Sequence, residues 1–511
     1  MRHATMVNGD SPDGILAGAV VMGIDTKNIS RRAVLGASAL ALGSWTVPAL
    51  AKTKAGGTPD KWDVVVVGAG LSGLHAAELL EQQGLKVVVV EASDRVGGRL
   101  RTGRAEGYTA ELGGSEVGPY YGRIRDACTR LNVGLTEDGA KSTPFVLDIG
   151  GKLILPQDWA GSDANHTEGK EREILPYLLQ NRLFFDWLPF EDPAEWLNPD
   201  YFPHDVSAAE YMRARGVSEA AIRLADVDLN GPSLASVSAM SIFRDMARIK
   251  VEGYRDPTKP QYGAGNAVTR SYIVGGSDAL PRAMAASIKG GVRLNSPVVA
   301  VEQAGDEVET RLANGKRLRS RFMVMAAPFS ALRRIRFNPG LPLAQANAVF
   351  GAIYSATTQF HFRVLKPFWE ADGLPPSIWT DRFFERGFVI SNRAGDHGAF
   401  IVWLNGDGAT RLHAMKPEDQ LSFVMRELEE SRPSMKGALQ PLFNYSWEAN
   451  PFVGGNKHCF AAGQVKMFAK DMALPHGRVH FSGEHLRRME PGMESAMETA
   501  EIAALEILEK I

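Results

Sequence analysis

The stretch from Asp63 to Arg101, DVVVVGAGLSGLHAAELLEQQGLKVVVVEASDRVGGRLR, limits the fold of this chain more than any other segment. Asp63–Val67 is a short run of β-branched residues, as a strand buried on both faces requires. Gly68, Gly70 and Gly73 then supply G-x-G-x-x-G. The first glycine permits the tight turn, the second lets a pyrophosphate approach the backbone, and the third lets the helix lie close on the strand. Ala69 and Ser72 share the same turn. A helix is predicted from Leu71 to Gln83, its N-terminal N–H groups aimed at phosphate. Lys86–Val90 reads as the next strand. Glu91 closes it 18 residues past Gly73, near the distance at which an acid grips a ribose 2′-OH. A glycine motif alone is weak evidence. With strand, helix, second strand and acid in order it predicts dinucleotide binding. Gly97-Gly98-Arg99 follows at once, and an arginine held by two glycines can lean back over the same pyrophosphate as a bidentate donor.

The segment EASDRVGGRLRT resembles the FAD signature of the flavin amine oxidases, the monoamine and polyamine oxidase family. AELGGSEVGPYYGRI, from Ala110 to Ile124, is similar to the family's stretch beneath the flavin ring. GRVHFSGEHLRRMEPGMESAMETAEIAALEIL, from Gly477 to Leu508, is similar to its closing motif, a strand, loop and helix over the isoalloxazine. Between them, YIVGGSDALPRAMA, SPVVAVEQ and KRLRSRFMVMAAPFSALRRIRFNP look like its second FAD segment. The resemblance covers about Lys61 to Leu508. It implies FAD, held without a covalent bond, against Gly68, Ala69, Gly70, Ser72, Gly73, Glu91, Ala92, Gly98, Arg99, Gly113, Gly114, Ser115, Val298, Gly483, Glu484 and Met493. It also implies an α/β fold: a discontinuous Rossmann-type FAD-binding domain (61–135, 268–340 and 444–511) with a mixed-sheet and helical substrate domain (136–267 and 341–443). Helices of the substrate domain are expected within Asp192–Arg255.

The first fifty residues read separately. Ser30-Arg31-Arg32-Ala33-Val34-Leu35 is a twin-arginine export motif, followed by apolar Ala33–Leu50 and an A-x-A site at Ala49-Leu50-Ala51. The apolar stretch is marginal for crossing a membrane, and Gly36, Gly43 and Pro48 favour a removable signal. Residues 1–51 are therefore expected to be a signal read by the twin-arginine machinery, and 52–60 a linker. The protein is expected in the periplasm or secreted. Met6 and Met22 leave the start open. A net charge of −2 argues against nucleic acid. Cys128 and Cys459 are too distant in sequence to be paired by inspection, and no ligand spacing suggests a metal. His485 reads as a loop histidine.

The catalytic positions depart from the family's pattern. The resemblance implies a lysine on the strand before a Pro-Phe-Trp turn, here Pro367-Phe368-Trp369. Counting back gives Gln359, and no lysine occurs in 344–365. Alternation puts Thr357, Gln359, His361 and Arg363 on one face of that strand. The two ring positions that flank the flavin in the family fall near Asn456-Lys457-His458-Cys459-Phe460 and at Gly492. The aromatic cage is thus incomplete unless Phe460 or Trp447 reaches in. Glu116, where relatives carry a ring, could take a second cationic group of a diamine or instead pair with an arginine. Candidate pocket residues are Glu116, Trp447, Lys457, Phe460 and Gly492. An amino-acid substrate would need an arginine, and Arg382, Arg386 and Arg393 are in range. Cys459 falls where some relatives link the flavin.

The implied reaction is oxidation of an amine C–N bond to an imine, then a carbonyl, with O2 reduced to hydrogen peroxide. The same fold also serves amino-acid oxidases and C–C desaturases. A dehydrogenase feeding a periplasmic redox carrier and a non-catalytic flavoprotein remain open, as does a homodimer.

Overall fold

The computed structural model describes residues 60–511 except 106, 119, 137–142, 228, 252–270 and 391–397. The twin-arginine motif, the apolar stretch behind it, the A-x-A site and Arg393 lie outside the described residues.

The first strand, Asp60–Val67, begins three residues before the apolar run because Asp60, Lys61 and Trp62 already pair with Leu318, Arg319 and Ser320. Asp60, expected to end the linker, is thus part of the sheet. Alternation along the strand sends Val64 and Val66 to one buried cluster and Val65 and Val67 to another. Val87–Val90 repeats the pattern, with Val87 and Val89 on the first side. Both faces of these strands are covered, as a parallel sheet demands. The sheet has eight strands. Val292–Arg293, Val87–Val90, Asp60–Val67 and Arg317–Met325 run parallel. The start of Arg317–Met325 pairs antiparallel with Glu307–Leu312, and its end pairs parallel with Val479–Phe481. Helices Leu71–Gln82 and Gly492–Leu508 pack together over the face holding Val64 and Val66. Small residues Ala500, Ala503 and Ala504 let the second helix approach closely. This is the Rossmann-type α/β arrangement expected from the glycine motif.

A second, seven-stranded mixed sheet runs in the order Leu439–Ser446, Thr357–Val364, Ala399–Asn405, Arg386–Ile390, Ser377–Thr380, Phe145–Ile149 and Lys152–Ile154. Helices Ala208–Arg213, Glu219–Val227 and Ala239–Val251 lie in the expected interval. Glu494, in the first turn of the last helix, accepts the backbone N–H groups of Arg123 (2.9 Å) and Ile124 (3.2 Å) at the start of helix Gly122–Arg130. One carboxylate thereby joins two helices distant in sequence. Both cysteines are free and buried.

The turn at Gly73 has no room for a side chain. A Cβ there would lie 1.9 Å from the Gly68 carbonyl oxygen and 3.2 Å from Ala326 Cβ. At Gly84 (φ +83°) a Cβ would meet nothing within 4 Å. Gly73→Ala is therefore expected to cost more than about 3 kcal/mol, and Gly84→Ala about 1 kcal/mol from its left-handed backbone alone. Equal urea midpoints for the two variants would refute this account.

Candidate functional site

A cavity of about 880 Å³ opens at the carboxyl ends of the parallel strands, where Val67, Val90 and Ala326 reach its wall. That is where open α/β sheets bind ligands. Gly68, Gly70 and Ser72 form one wall, and no side chain caps the helix that follows. Its first N–H groups are left for a ligand. Gly98 (φ +55°) abuts Gly70, and a Cβ on Gly98 would stand 3.3 Å from Gly70 Cα. The two glycine loops thus meet backbone to backbone. Arg95, which the sequence reading passed over, holds the second loop. It donates to the carbonyls of Gly98 (2.6 Å), Leu100 (3.0 Å) and Val96 (3.1 Å).

Glu91 and Arg99 differ in detail from expectation. Glu91 lines the cavity, but its carboxylate already accepts Ala69 N–H (2.7 Å), Ser93 N–H (2.9 Å) and Ser93 Oγ (2.8 Å). It fixes the turn at Ala69 and keeps about one acceptor direction for a ribose hydroxyl. Arg99 does not lean toward the glycine loop as a free fork. Its Nη1 donates to Glu484 (2.9 Å) and to the Asn456 carbonyl (2.8 Å). Two residues assigned separately from sequence are one ion pair. Ala92, Gly114, Val298, Gly483, Glu484 and Met493 also line the cavity. Ala69, Gly73, Gly113 and Ser115 stand behind the wall. A Cβ on Gly113 would lie 1.8 Å from the Arg99 carbonyl oxygen, so that glycine is a packing necessity.

Of the substrate candidates, Glu116, Lys457 and Gly492 line the same cavity. Glu116 is exposed and accepts from Tyr272 Oη at 3.3 Å. Lys457 Nζ is committed to Asp245 at 2.6 Å. Among the described residues a Cβ at Gly492 would come near Tyr121 Oη alone, 3.7 Å away, but the left-handed backbone there (φ +55°) strains any side chain. Trp447 and Phe460 do not reach in. The Trp447 indole donates to the Leu112 carbonyl at 2.6 Å, and Phe460 is buried against Trp196 and His458. Gln359 is also misplaced for a water-holding role. Its amide donates to the same Leu112 carbonyl (3.2 Å) and its oxygen pairs with His361 Nε2 (2.9 Å). Gln359 and His361 do share a face, but that face is buried. Arg382 pairs with Asp148 at 2.9 Å beside a separate cavity of about 380 Å³. Arg386 begins strand Arg386–Ile390, away from the main cavity.

His485 is not a solvent histidine. It is buried, it lines the cavity, and among the described residues neither ring nitrogen has a hydrogen-bond partner. Burial pushes its pKa down to about 3, as it does that of His361. His458, beside it, is lowered too, first by burial and then by Arg244. Unfolded histidine titrates near 6.5, so the unfolded chain takes up these protons first on acidification. Stability present above pH 6.5 is lost as pH falls toward 3. Melting temperature should therefore fall between pH 7 and 5, and less so in His485→Leu. An unchanged slope in that variant would remove His485 from this linkage.

The family model for flavin containing amine oxidoreductase matches residues 71–508. The chain is 27% identical to an L-amino-acid oxidase of Siganus canaliculatus, over 87% of this chain and 85% of that protein. It is 24% identical to an L-amino-acid oxidase of Protobothrops flavoviridis, over 88% and 89%. A redesigned putrescine oxidase superposes with a TM-score of 0.72 at 21% identity, covering 88% of this chain and 100% of that one. Cyclohexylamine oxidase from Brevibacterium oxydans gives a TM-score of 0.71 at 23% identity, covering 88% and 99%. The chain belongs to the flavin-containing amine oxidoreductase family.

Proposed function

We propose that this flavin-dependent oxidoreductase oxidises the C–N bond of an amine to an imine, which water converts to a carbonyl and a free amine. One observation carries the reading: a single cavity runs from the glycine turn at Gly68–Gly73 past Arg99 and Glu484 to Glu116, Lys457 and Gly492. It has a cradle shaped for a dinucleotide at one end and room beside it for a small molecule.

The residues present fit FAD. Backbone at Gly68 and Gly70, with the first turn of helix Leu71–Gln82, would take the pyrophosphate, and Glu91 a ribose hydroxyl. The Val298 backbone would face the adenine side. Gly483, Glu484 and Met493 would border the isoalloxazine. When bound, FAD supplies a two-electron acceptor for hydride from the carbon next to a neutral amine. The chain's part is to hold the amine, exclude water and keep the site rigid. Gln359 and Trp447 do so indirectly, by fixing the Leu112 carbonyl just before Gly113-Gly114.

Burial lifts the Cys459 thiol to about 11, which leaves little thiolate for a flavin bond and supports non-covalent FAD. The eight-stranded sheet and its helices would be the FAD-binding part, the seven-stranded sheet the substrate part. The Ser30–Leu35 motif supports export by the twin-arginine route to the periplasm. Oxygen, giving hydrogen peroxide, is the simplest final acceptor, and export also suits a periplasmic redox carrier.

The purified protein should show a flavin band that is bleached without oxygen by one class among monoamines, polyamines, cyclic amines and amino acids. A band that no amine or amino acid bleaches would overturn the reading, and readmitted air tests oxygen as acceptor. Glu116→Gln should raise KM for diamines several-fold more than for monoamines. Equal effects would remove Glu116 from substrate recognition.

A further inference from the structure

Helix Ala239–Val251 carries two adjacent charges on the cavity wall, and they are treated very differently. Asp245 is fully engaged. It accepts Lys457 Nζ at 2.6 Å and Arg487 Nη1 at 2.5 Å. Burial alone would raise its pKa, but Lys457, Arg487 and Arg244 hold it below the usual carboxylate range. Arg248, one turn on, pairs with Glu490 at 2.6 Å. Arg244 has no such partner. It is 2% exposed, and its Nε and Nη1 make no hydrogen bond among the described residues. Its guanidinium lies 4.9 Å from the Trp196 ring and 5.3 Å from the Phe460 ring.

Those rings lie against the guanidinium and leave its Nε and Nη1 donors, one on each of its two donor edges, unmet among the described residues. Cation–π contact is made through the plane, whereas the five N–H donors point outward in it. Leaving a buried cation without an anion is costly, and an edge of paired donors matches the two oxygens of a carboxylate. Nearby charge does not supply one. Among the described residues Lys457 and Arg487 pair with Asp245 and Arg248 with Glu490, while Glu116 on the same wall accepts from Tyr272. Arg99 and Glu484 neutralise each other. His458 and His485 are neutral by burial. The cavity therefore has a positive surplus around a buried guanidinium whose Nε and Nη1 are unmet among the described residues.

We infer that Arg244 receives a carboxylate carried by the substrate, so that the amine oxidised here belongs to the amino-acid class. This rests on the amine-oxidation reading above for what happens to the amine. It rests on Arg244 alone for the carboxylate. None of Arg382, Arg386 and Arg393, the arginines in range by sequence, is needed. Nothing local in the sequence singles out Arg244, because its burial against Trp196 and Phe460 depends on residues far along the chain.

The test uses flavin-loaded wild type, Arg244→Gln and Arg244→Lys. Benzoate binding is measured by calorimetry, and flavin content by its absorbance. Anaerobic flavin reduction is followed with two matched pairs, phenylalanine against 2-phenylethylamine and 4-aminobutyrate against butylamine. Benzoate should bind wild type and weaken about tenfold or more in Arg244→Gln at unchanged flavin content. Arg244→Lys should fall between, because it keeps the charge and loses the fork. In at least one pair the Gln substitution should cost the carboxylated member about tenfold more in kcat/KM than its partner. Equal benzoate affinity in wild type and variant overturns the inference, and so does an equal loss on both members of each pair. Loss of flavin in Arg244→Gln and Arg244→Lys alike overturns it by making Arg244 a cofactor contact. If Arg244→Gln does not fold, Arg244→Lys decides: unchanged benzoate affinity overturns the inference. If no amine reduces the flavin yet benzoate binding still depends on Arg244, the oxidation reading fails while the carboxylate site stands.

Discussion

The contact between the Gly73 backbone and the Gly68 carbonyl is the constraint on which the rest of the molecule depends. It brings helix Leu71–Gln82 so close to strand Asp60–Val67 that even a methyl group is excluded. Ala326, from the end of strand Arg317–Met325, fills the remaining space. Two segments far apart in sequence thus meet at three of the smallest residues, Gly68, Gly73 and Ala326. Because they meet there, the strand ends line up and the cavity begins at the helix N-terminus, where no side chain caps the first N–H groups. Ligand recognition here is a by-product of close packing.

The sequence made this part legible because its signals are contiguous. Strand, glycines, helix and acid follow one another within 40 residues, and each element's chemistry depends on near neighbours. What could not be read off is what depends on partners far along the chain. Arg99 was seen as a phosphate donor, but Glu484, 385 residues away, takes its Nη1. Glu494 looked like part of a flavin motif, and its carboxylate tethers the helix that starts at Gly122. Alternation correctly put Gln359 and His361 on one face. It carries no information about whether that face meets a cavity or, as here, the Leu112 carbonyl. His485 was misjudged for the same reason: a loop histidine is wet or dry according to what packs on it, and Phe329 lies 4.4 Å from its ring centre.

The cavity's polarity follows from this division of labour. At the glycine end, positive character comes from backbone dipoles and from Arg95, whose charge is spent on three carbonyls. At the other end it comes from side chains crowded about one carboxylate, Asp245. The first kind suits a ligand held in one fixed pose. The second can be retuned by single substitutions without disturbing the sheet, and the departures at Asn456 and Gly492 line the cavity while Gln359 does not.

The ion pair between Arg99 and Glu484 also bears on how the molecule is made. Strand Val479–Phe481 pairs with Arg317–Met325, and the helix Gly492–Leu508 covers the face bearing Val64 and Val66. Synthesis therefore yields the glycine motif well before the strand and helix that complete its surroundings. Until helix Gly492–Leu508 has been made, the apolar face bearing Val64 and Val66 stays uncovered, so its closure is non-local and slow. The cradle is whole only once the segment from Val479 to Leu508 has docked on the segment that begins at Asp60.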